Sequence, residues 1–405
     1  MLSPKTIEIV KSTVPVLETH GIEITKRFYQ LMFANHPELL NVFNHANQKK
    51  GRQQTALAAA VYAAAKYIDN LEAIIPVVKQ IGHKHRSLGI KPEQYPIVGR
   101  NLLAAIKDVL GDAATEEVLN AWAEAYDAIA DVFISVEAEL YKEAEEQDGG
   151  WSGFRAFRVI RKTKESDVIT SFYLAPADGN RIAAYKPGQY ITIKAEIPGE
   201  KHTHLRQYSL SDAPGKSYYR ITVKREDDIP NQPNGIVSVY LHNHVQEGDL
   251  VHLSAPAGDF VLDETDSRPL VLISGGVGLT PMVSMLQHTV ETNPVRPITF
   301  IHAARNGDMH ALREEVEEAT RRCSSAAVYW CYEKPTEADR KEQRFHKEGY
   351  IDLNWLKTII PDPDASFYFC GPIPFMKAVN AALKEWGVPA TDIHYEFFGP
   401  AGSLE

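Results

Sequence analysis

The stretch PLVLISGGVGLTP, residues 269–281, decides how the C-terminal third of this chain folds. Its first half is a continuous apolar run, the pattern of a strand buried on both faces, and Gly275, Gly276 and Gly278 follow at once. A glycine turn between such a strand and a helix lets the backbone approach a pyrophosphate at a positive helix end. Gly275, Gly276, Val277, Gly278, Leu279 and Thr280 are therefore expected to cradle a nicotinamide dinucleotide. Thr280 and Pro281 read as the N-cap and first residue of that helix. The spacing is not G-x-G-x-x-G, and a glycine run alone also marks an ordinary turn. The runs ITFIHAA (298–304), AAVYWCY (326–332) and SFYFCGP (366–372) alternate with helix-like segments, which predicts a parallel sheet covered on both faces. Cys370-Gly371-Pro372 sits where a strand's carboxyl end meets a dinucleotide crevice, although Cys370 is equally a plain buried thiol. Arg305, after the second strand, either meets a 2′-phosphate or stands free on the surface.

Working back from Arg268-Pro269, the texture changes. FRAFRVI, YITIKA and YRITVKR are short β-rich pieces broken by the turns YKPGQ and SDAPGK, the signature of a small antiparallel barrel. RQYSLS (206–211) lies among them and resembles the R-x-Y-S/T pattern of the ferredoxin-reductase-like flavoproteins. The residue types suit a flavin. Arg206 offers a planar fork for a phosphate, Tyr208 a ring for the isoalloxazine face, and Ser209 a hydroxyl near its reactive nitrogen, with Gln207 between them. Tyr190, after the KPGQ turn, is a second flavin contact, and GDLVHLSAPAGDF (248–260) fits the same barrel.

Before the acidic and then glycine-rich run EAEEQDGGWSG (143–153), the chain is rich in Ala, Leu, Ile and Val at helical spacing. Ser3 and Pro4 read as the cap and first residue of its first helix. From Leu71 to Gly89 a helix places Val78, Ile81, His85 and Leu88 on one face, with Gly89 as C-cap. His85 is thus either a core histidine or a ligand; His83, two residues earlier, points elsewhere. A second helix aligns Gln53, Leu57, Ala60, Val61, Ala64 and Ile68, and a third, from Gly21 to Phe33, carries Tyr29. Polar groups on buried stripes need partners, since leaving one unpaired costs about 1–3 kcal/mol. A ligand on iron would be one such partner. On a long helix opening near Thr115, Glu137 lies four residues after Phe133 at the edge of a buried stripe, either solvated or bonded to a histidine. Lys84 faces either a porphyrin propionate or solvent.

The 405 residues suffice for two or three cored domains, and 44% hydrophobic with 24% charged residues excludes general disorder. A net charge of −10 argues against nucleic acid or an anionic membrane surface as partner. MLSPKTIEIV has no signal-peptide apolar core, and no stretch is long and apolar enough to insert in a bilayer. Cys323, Cys331 and Cys370, without a C-x-x-C, disfavour a disulfide framework or an iron–sulfur cluster. A cytoplasmic protein is expected.

FYQLMFANHPELLNVFN, the Gln53 stripe, KHRSLGIKPEQYPIVG and AWAEAYDAIADVFISVEAELY are similar to the globin half of the flavohaemoglobins, and the later segments match the same family. The resemblance spans the chain and implies three domains in order: an all-α globin haem domain (1–147), an antiparallel β-barrel FAD domain (148–266) and an α/β NAD(P)-binding domain (267–405). It implies His85 as proximal ligand of haem b iron, Tyr29 and Gln53 as the distal polar pair, Phe43 packing on the porphyrin, and Tyr95 with Glu137 behind His85. In the tail HYEFFGP it places Glu396, Phe397, Phe398, Gly399 and Pro400 near flavin and nicotinamide. Hydride brings two electrons whereas iron takes one at a time, so FAD belongs between NADH or NADPH and haem. The implied activity is dioxygenation of NO by O2 to nitrate, by a monomer whose haem pocket has room for a lipid or other hydrophobic ligand. Two other readings stay open: an NAD(P)H-dependent flavohaem reductase without a role in NO chemistry, and a haem-based gas or redox sensor.

Overall fold

The computed structural model describes residues 2–43, 48, 51–227, 234–399 and 404. Contacts divide the chain into two compact units. Met1–Gly153, Lys194–Arg206 and Gly399–Ala401 form one; Phe154–Ile193, Gln207–Phe398 and Gly402–Glu405 form the other.

The described residues up to 153 in the first unit are helical: α1 (Pro4–Ser12), α2 (Val14–Asn35), α3 (Arg52–Lys66), α4 (Ile75–Leu88), α5 (Tyr95–Leu110) and α6 (Glu116–Glu146). Ser3 caps α1 by accepting from the Thr6 N–H, as expected, and Pro4 opens the helix. Thr115 caps α6 from the Val118 N–H, with Glu116 and Glu117 complementing the helix dipole in the first turn. Gly89, at φ 79°, ends α4 in the left-handed region that a side chain would disfavour. The segment expected from Gly21 to Phe33 belongs to a longer helix, because Pro15 occupies an N-terminal position of α2 where its missing N–H is harmless. Ile68, aligned with Gln53 in the sequence, lies past the end of α3 although it is still buried. The core gathers Ile24, Phe28 and Met32 of α2, Leu102 and Ile106 of α5, and Trp122 of α6.

After residue 153 come β1 (Phe154–Lys164), β2 (Ile169–Pro176), β3 (Tyr190–Ala195), β4 (His204–Ser209), β5 (Tyr219–Lys224), α7 (Ile236–Asn243) and β6 (Leu250–Ser254), with the end of β3 and the start of β4 counted in the first unit and the rest in the second. The strands make a six-stranded sheet in the order β4-β3-β6-β1-β2-β5, antiparallel where β1 meets β2 and β6 and where β2 meets β5. β4 and β5 are its two edges. An antiparallel bridge between Leu210 and Ile221, with Ser211 N–H donating to the Arg220 carbonyl at 2.9 Å, joins the chain after β4 to β5. That junction curls the sheet toward the barrel the sequence predicts and covers strand edges that would otherwise be open.

Then follow β7 (Leu270–Gly275), α8 (Leu279–Thr292), β8 (Ile298–Ala304), α9 (Arg313–Arg321), β9 (Ala326–Tyr332), α10 (Glu337–Lys341), β10 (Lys347–Glu348), α11 (Leu353–Ile359), β11 (Ser366–Cys370), α12 (Ile373–Trp386) and β12 (Ile393–Glu396). All pairings in this sheet are parallel, in the order β10-β9-β8-β7-β11-β12. Successive residues of β7 feed opposite cores. Leu270 and Leu272 pack with Met282 and Leu286 of α8 and Val316 of α9, whereas Val271 and Ile273 pack with Leu356 of α11 and Met376 and Leu383 of α12. This explains the unbroken apolar run: both faces are covered. Strand order reverses between β7 and β11, and a crevice opens at the carboxyl ends of such a pair.

Candidate active site

In the helical unit, α4 and α6 bring His85 and Glu137 together. His85 Nδ1 lies 2.7 Å from Glu137 Oε1, and the Tyr95 hydroxyl donates to the same oxygen at 2.6 Å while standing 3.2 Å from Nδ1. Glu137 is 3% exposed, so it is a buried acceptor and not the solvated helix-edge carboxylate that its spacing also allowed. Burial, then the Glu137 charge, pushes the Tyr95 phenol well above its ordinary pKa, which keeps it a donor. With a carboxylate holding the Nδ1 proton, the lone pair of His85 is at Nε2. Nε2 has no hydrogen-bond partner among the described residues, and the His85 side chain keeps 32% of its surface exposed. An imidazole so held is a preset metal donor. Phe133 stands beside both rings, its centroid 6.2 Å from His85 and 6.3 Å from Tyr95.

On α2, Tyr29 is buried against aromatic rings: Phe28 at 4.8 Å, Phe33 at 5.8 Å and Phe43 at 5.8 Å between centroids. Burial raises its pKa far above the ordinary tyrosine value, so the phenol is neutral and able to donate. Gln53 Oε1 is buried with no hydrogen-bond partner among the described residues, and no hydrogen bond joins it to Tyr29. The neighbouring Gln54 is the more buried of the two glutamines and donates from Nε2 to Gln48 Oε1 at 2.9 Å. The neutral phenol on α2, the orphaned amide oxygen on α3 and the imidazole nitrogen left open on α4 are each of a type that suits a porphyrin carrying iron. Lys84 Nζ donates to the Gly399 carbonyl at 2.7 Å, a partner the sequence did not indicate.

In the antiparallel sheet, Arg206 and Tyr208 share one face of β4, with Gln207 and Ser209 on the other. Arg206 Nη1 rests on the Leu205 carbonyl at 2.7 Å. Tyr190 is buried and its backbone pairs both ways with Ala257, at 2.9 and 2.8 Å. Gly258, at φ 113°, leaves room for the Tyr190 ring; a Cβ there would stand 3.0 Å from Tyr190 Cε1. Arg206 is of the type that holds a phosphate, and Tyr190 and Tyr208 are of the type that covers a flavin ring.

The glycine loop forms a turn at Gly276–Gly278 before α8. Here the structure corrects the expected cap. The helix starts at Leu279 with Gly278 as N-cap, and the Thr280 hydroxyl donates back to the Val277 carbonyl at 3.1 Å instead of capping. Gly276 adopts φ 54°. Gly278 is required by contact: a Cβ would lie 2.3 Å from the Cys370 carbonyl oxygen and 2.7 Å from Gly371 N. Phe375 lies against both Gly275 and Gly371, where added Cβ atoms would come within 3.0 and 2.6 Å of its ring. The loop and the Cys370-Gly371-Pro372 turn thus line one crevice at the strand-order reversal, where backbone can approach a pyrophosphate. Cys370 pairs in register with Glu396 at the end of β12, and burial first, then Glu396, raises the thiol well above its usual pKa. Cys323, Cys331 and Cys370 are all free and buried, in line with the reading against disulfides. Phe397 is half-buried against the core, Phe398 is 43% exposed, and Pro400 lies outside the described residues. Arg305 is exposed at the end of β8.

Three family signatures match: globin over residues 26–133, oxidoreductase FAD-binding domain over 156–262, and oxidoreductase NAD-binding domain over 272–381. A flavohemoprotein of Bacillus thuringiensis is 62% identical over 405 residues, covering all of both chains. The chain belongs to the flavohemoprotein family. A flavohemoprotein of Bacillus subtilis is 56% identical over 100% of this chain and 99% of its own, and one of Rhizobium meliloti 49% identical over 99% of each. Among solved structures, flavohemoglobin from Malassezia yamatoensis, with bound FAD and heme, matches 98% of this chain and 100% of its own at TM-score 0.85 and 29% identity. The FAD/NAD-binding domain of nitric oxide dioxygenase from Vibrio cholerae covers 61% of this chain and 99% of its own, at TM-score 0.55 and 40% identity. As a flavohemoprotein, this chain is an oxidoreductase that binds haem, FAD and a nicotinamide dinucleotide, in a globin domain, an antiparallel FAD domain and a parallel-sheet dinucleotide domain. No described helix is long and apolar enough to cross a membrane.

Three residues escaped the sequence reading. Gln54 was hidden by its neighbour Gln53, and Phe375 has no signal beyond following Cys370-Gly371-Pro372. Phe133 served only as a spacing mark for Glu137, yet its place on that stripe was itself a pointer to His85.

Proposed function

We propose that this flavohemoprotein is a nitric oxide dioxygenase, converting NO and O2 to nitrate with electrons from NADH or NADPH and so removing nitric oxide. The observation that carries this reading is the His85–Glu137–Tyr95 cluster, with contacts of 2.7 and 2.6 Å to one buried carboxylate oxygen. A carboxylate behind a ligating imidazole makes it a stronger donor to iron, which favours activating O2 over storing it. An attached reductase points the same way, since simple storage needs no continuing electron supply. NO, O2 and one electron balance as nitrate, so each hydride supports the oxidation of two NO.

Haem iron would supply the centre where O2 and NO meet, and FAD would divide a hydride pair into single electrons. The chain's residues do the rest. His85 Nε2 would hold the iron, while Glu137 Oε1 keeps the Nδ1 proton in place with Tyr95. Tyr29 would offer its hydroxyl proton and Gln53 its amide to a gas bound there, and Phe43 would pack on the porphyrin. Lys84 is the candidate for a propionate contact. Arg206, Gln207, Tyr208, Ser209 and Tyr190 bind and orient the flavin. Gly275, Gly276, Val277, Gly278, Leu279 and Thr280 take the pyrophosphate, and Glu396, Phe397, Phe398, Gly399 and Pro400 border flavin and nicotinamide. Domain limits at 1–147, 148–266 and 267–405 follow this assignment. We place the protein in the cytoplasm as a monomer, with NADH the preferred donor.

The test is NO consumption by the purified chain with all three cofactors bound. NO loss should need both O2 and the reduced nucleotide, at two NO per nucleotide. NADH oxidation at one rate with and without NO would leave only a flavohaem reductase.

A further inference from the structure

Tyr126, Phe133 and Glu137 fall on one face of α6, at intervals of seven and four residues that a period of about 3.6 brings into line. Phe133 and Glu137 meet His85 directly. Tyr126 instead meets the start of α5. Its hydroxyl donates to the Tyr95 carbonyl at 2.7 Å. Tyr95 and Gly99 stand four apart in the first turn of α5, which makes them partners in the helix ladder. The Tyr126 hydroxyl therefore enters that ladder at the residue whose own phenol reaches Glu137. Gly99 is what admits it: a Cβ there would lie 2.6 Å from Tyr126 Cε1 and 2.8 Å from Cδ1. A side chain at position 99 and a phenol at position 126 are mutually exclusive as the helices stand.

Glu137 Oε1 accepts from two donors, Tyr95 at 2.6 Å and His85 at 2.7 Å. Donors to one oxygen compete. The more firmly Tyr95 holds that oxygen, the less negative charge it presents to the imidazole N–H. We propose that Tyr126 is a positioning residue for the reaction: by anchoring the Tyr95 backbone against Gly99 it fixes the Tyr95–Glu137 bond, and so sets how much charge Glu137 lends to His85. The inference rests on His85 being the haem ligand.

The test uses the full chain with haem bound, reduced and free of added ligand, and reads the iron–histidine stretching band by resonance Raman. Three variants are compared with the parent: Tyr126→Phe, which keeps the ring and removes the hydroxyl, Tyr95→Phe, and the double substitution. Loss of the Tyr95 hydroxyl frees Glu137 for His85 and should raise the frequency. Tyr126→Phe should raise it in the same direction by a smaller amount, and the double variant should match Tyr95→Phe alone, because both act through one bond. Gly99→Ala, which displaces the phenol by contact, should shift the band as Tyr126→Phe does. A Tyr126→Phe band at the parent frequency, or a double variant showing the two shifts added, overturns the inference while leaving His85 as ligand. A parent without any iron–histidine band removes the ligand assignment, and this inference with it.

Discussion

Substituting Gly278 by alanine separates a cradle from an ordinary turn. The backbone at Gly278 is unremarkable, φ −62° and ψ −6°, so alanine incurs no conformational strain there. As the N-cap of α8, position 278 gives alanine no helix-propensity gain, since glycine is the better residue there. The neighbours add a larger penalty of the same sign. The new methyl would sit 2.3 Å from the Cys370 carbonyl oxygen, 2.5 Å from its carbon and 2.7 Å from Gly371 N, all of them backbone. Reaching ordinary contact near 3.5 Å requires β11 and α8 to part by roughly 1 Å. Overpacking of this kind costs about 1–3 kcal/mol. The displaced groups are those lining the crevice, so dinucleotide binding should weaken about 5–150-fold by the same energy. The assay is flavin reduction by NADH in a stopped flow, with half-saturation measured for parent and variant and haem content as a folding control. Half-saturation equal to the parent, or a variant more stable than the parent, would refute the reasoning.

Glu137→Gln replaces a charged acceptor serving two donors by a neutral one, and should speed haem loss to an acceptor globin about 10–100-fold, with parental retention as the contrary result. Tyr29→Phe deletes a buried neutral donor worth about 1–2 kcal/mol to a bound gas, so oxygen should leave about 5–30-fold faster; an unchanged off-rate would dismiss Tyr29 from the pocket. The dinucleotide domain should be acid-labile. Burial holds His302 down to about 3 and His310 well below its usual value, so below about pH 6.5 the unfolded chain binds protons that the native chain refuses. Stability from each is intact above pH 6.5 and falls by about 1.4 kcal/mol per pH unit as acidity rises, for His302 down to about pH 3. Urea midpoints followed by fluorescence of Trp330, which packs on His310, should drop between pH 7 and 5, whereas a flat profile would contradict the burial argument.

Local chemistry made much of this molecule legible. Ser3-Pro4, Thr115 and Gly89 mark helix ends because cap geometry is set by the residue itself. The run Leu270–Gly275 announces a strand covered twice because both its faces are apolar. What stayed hidden depends on neighbours distant in sequence. Periodicity puts Glu137 at the edge of a stripe; only the approach of α4 and the start of α5 shows that the edge is buried. Thr280 carries a capping side chain, yet the turn at Gly276–Gly278 begins the helix two residues early and spends the hydroxyl on Val277. Gly99 and Tyr126 have no joint signature, since their contact exists only between helices. Nor does any segment declare that β7 and β11 are neighbours, which is what makes a crevice of two glycine turns.

The central claim is that His85 holds haem in a chain whose own flavin dehydrogenase keeps it reduced. It is tested most directly by the visible spectrum of the purified protein before and after NADH, alongside His85→Ala. The parent should show a Soret band that moves to the ferrous position while the flavin bleaches, and the variant should lose that haem. A colourless parent that takes up no added haemin, or an alanine variant with the parent's Soret band, would contradict it.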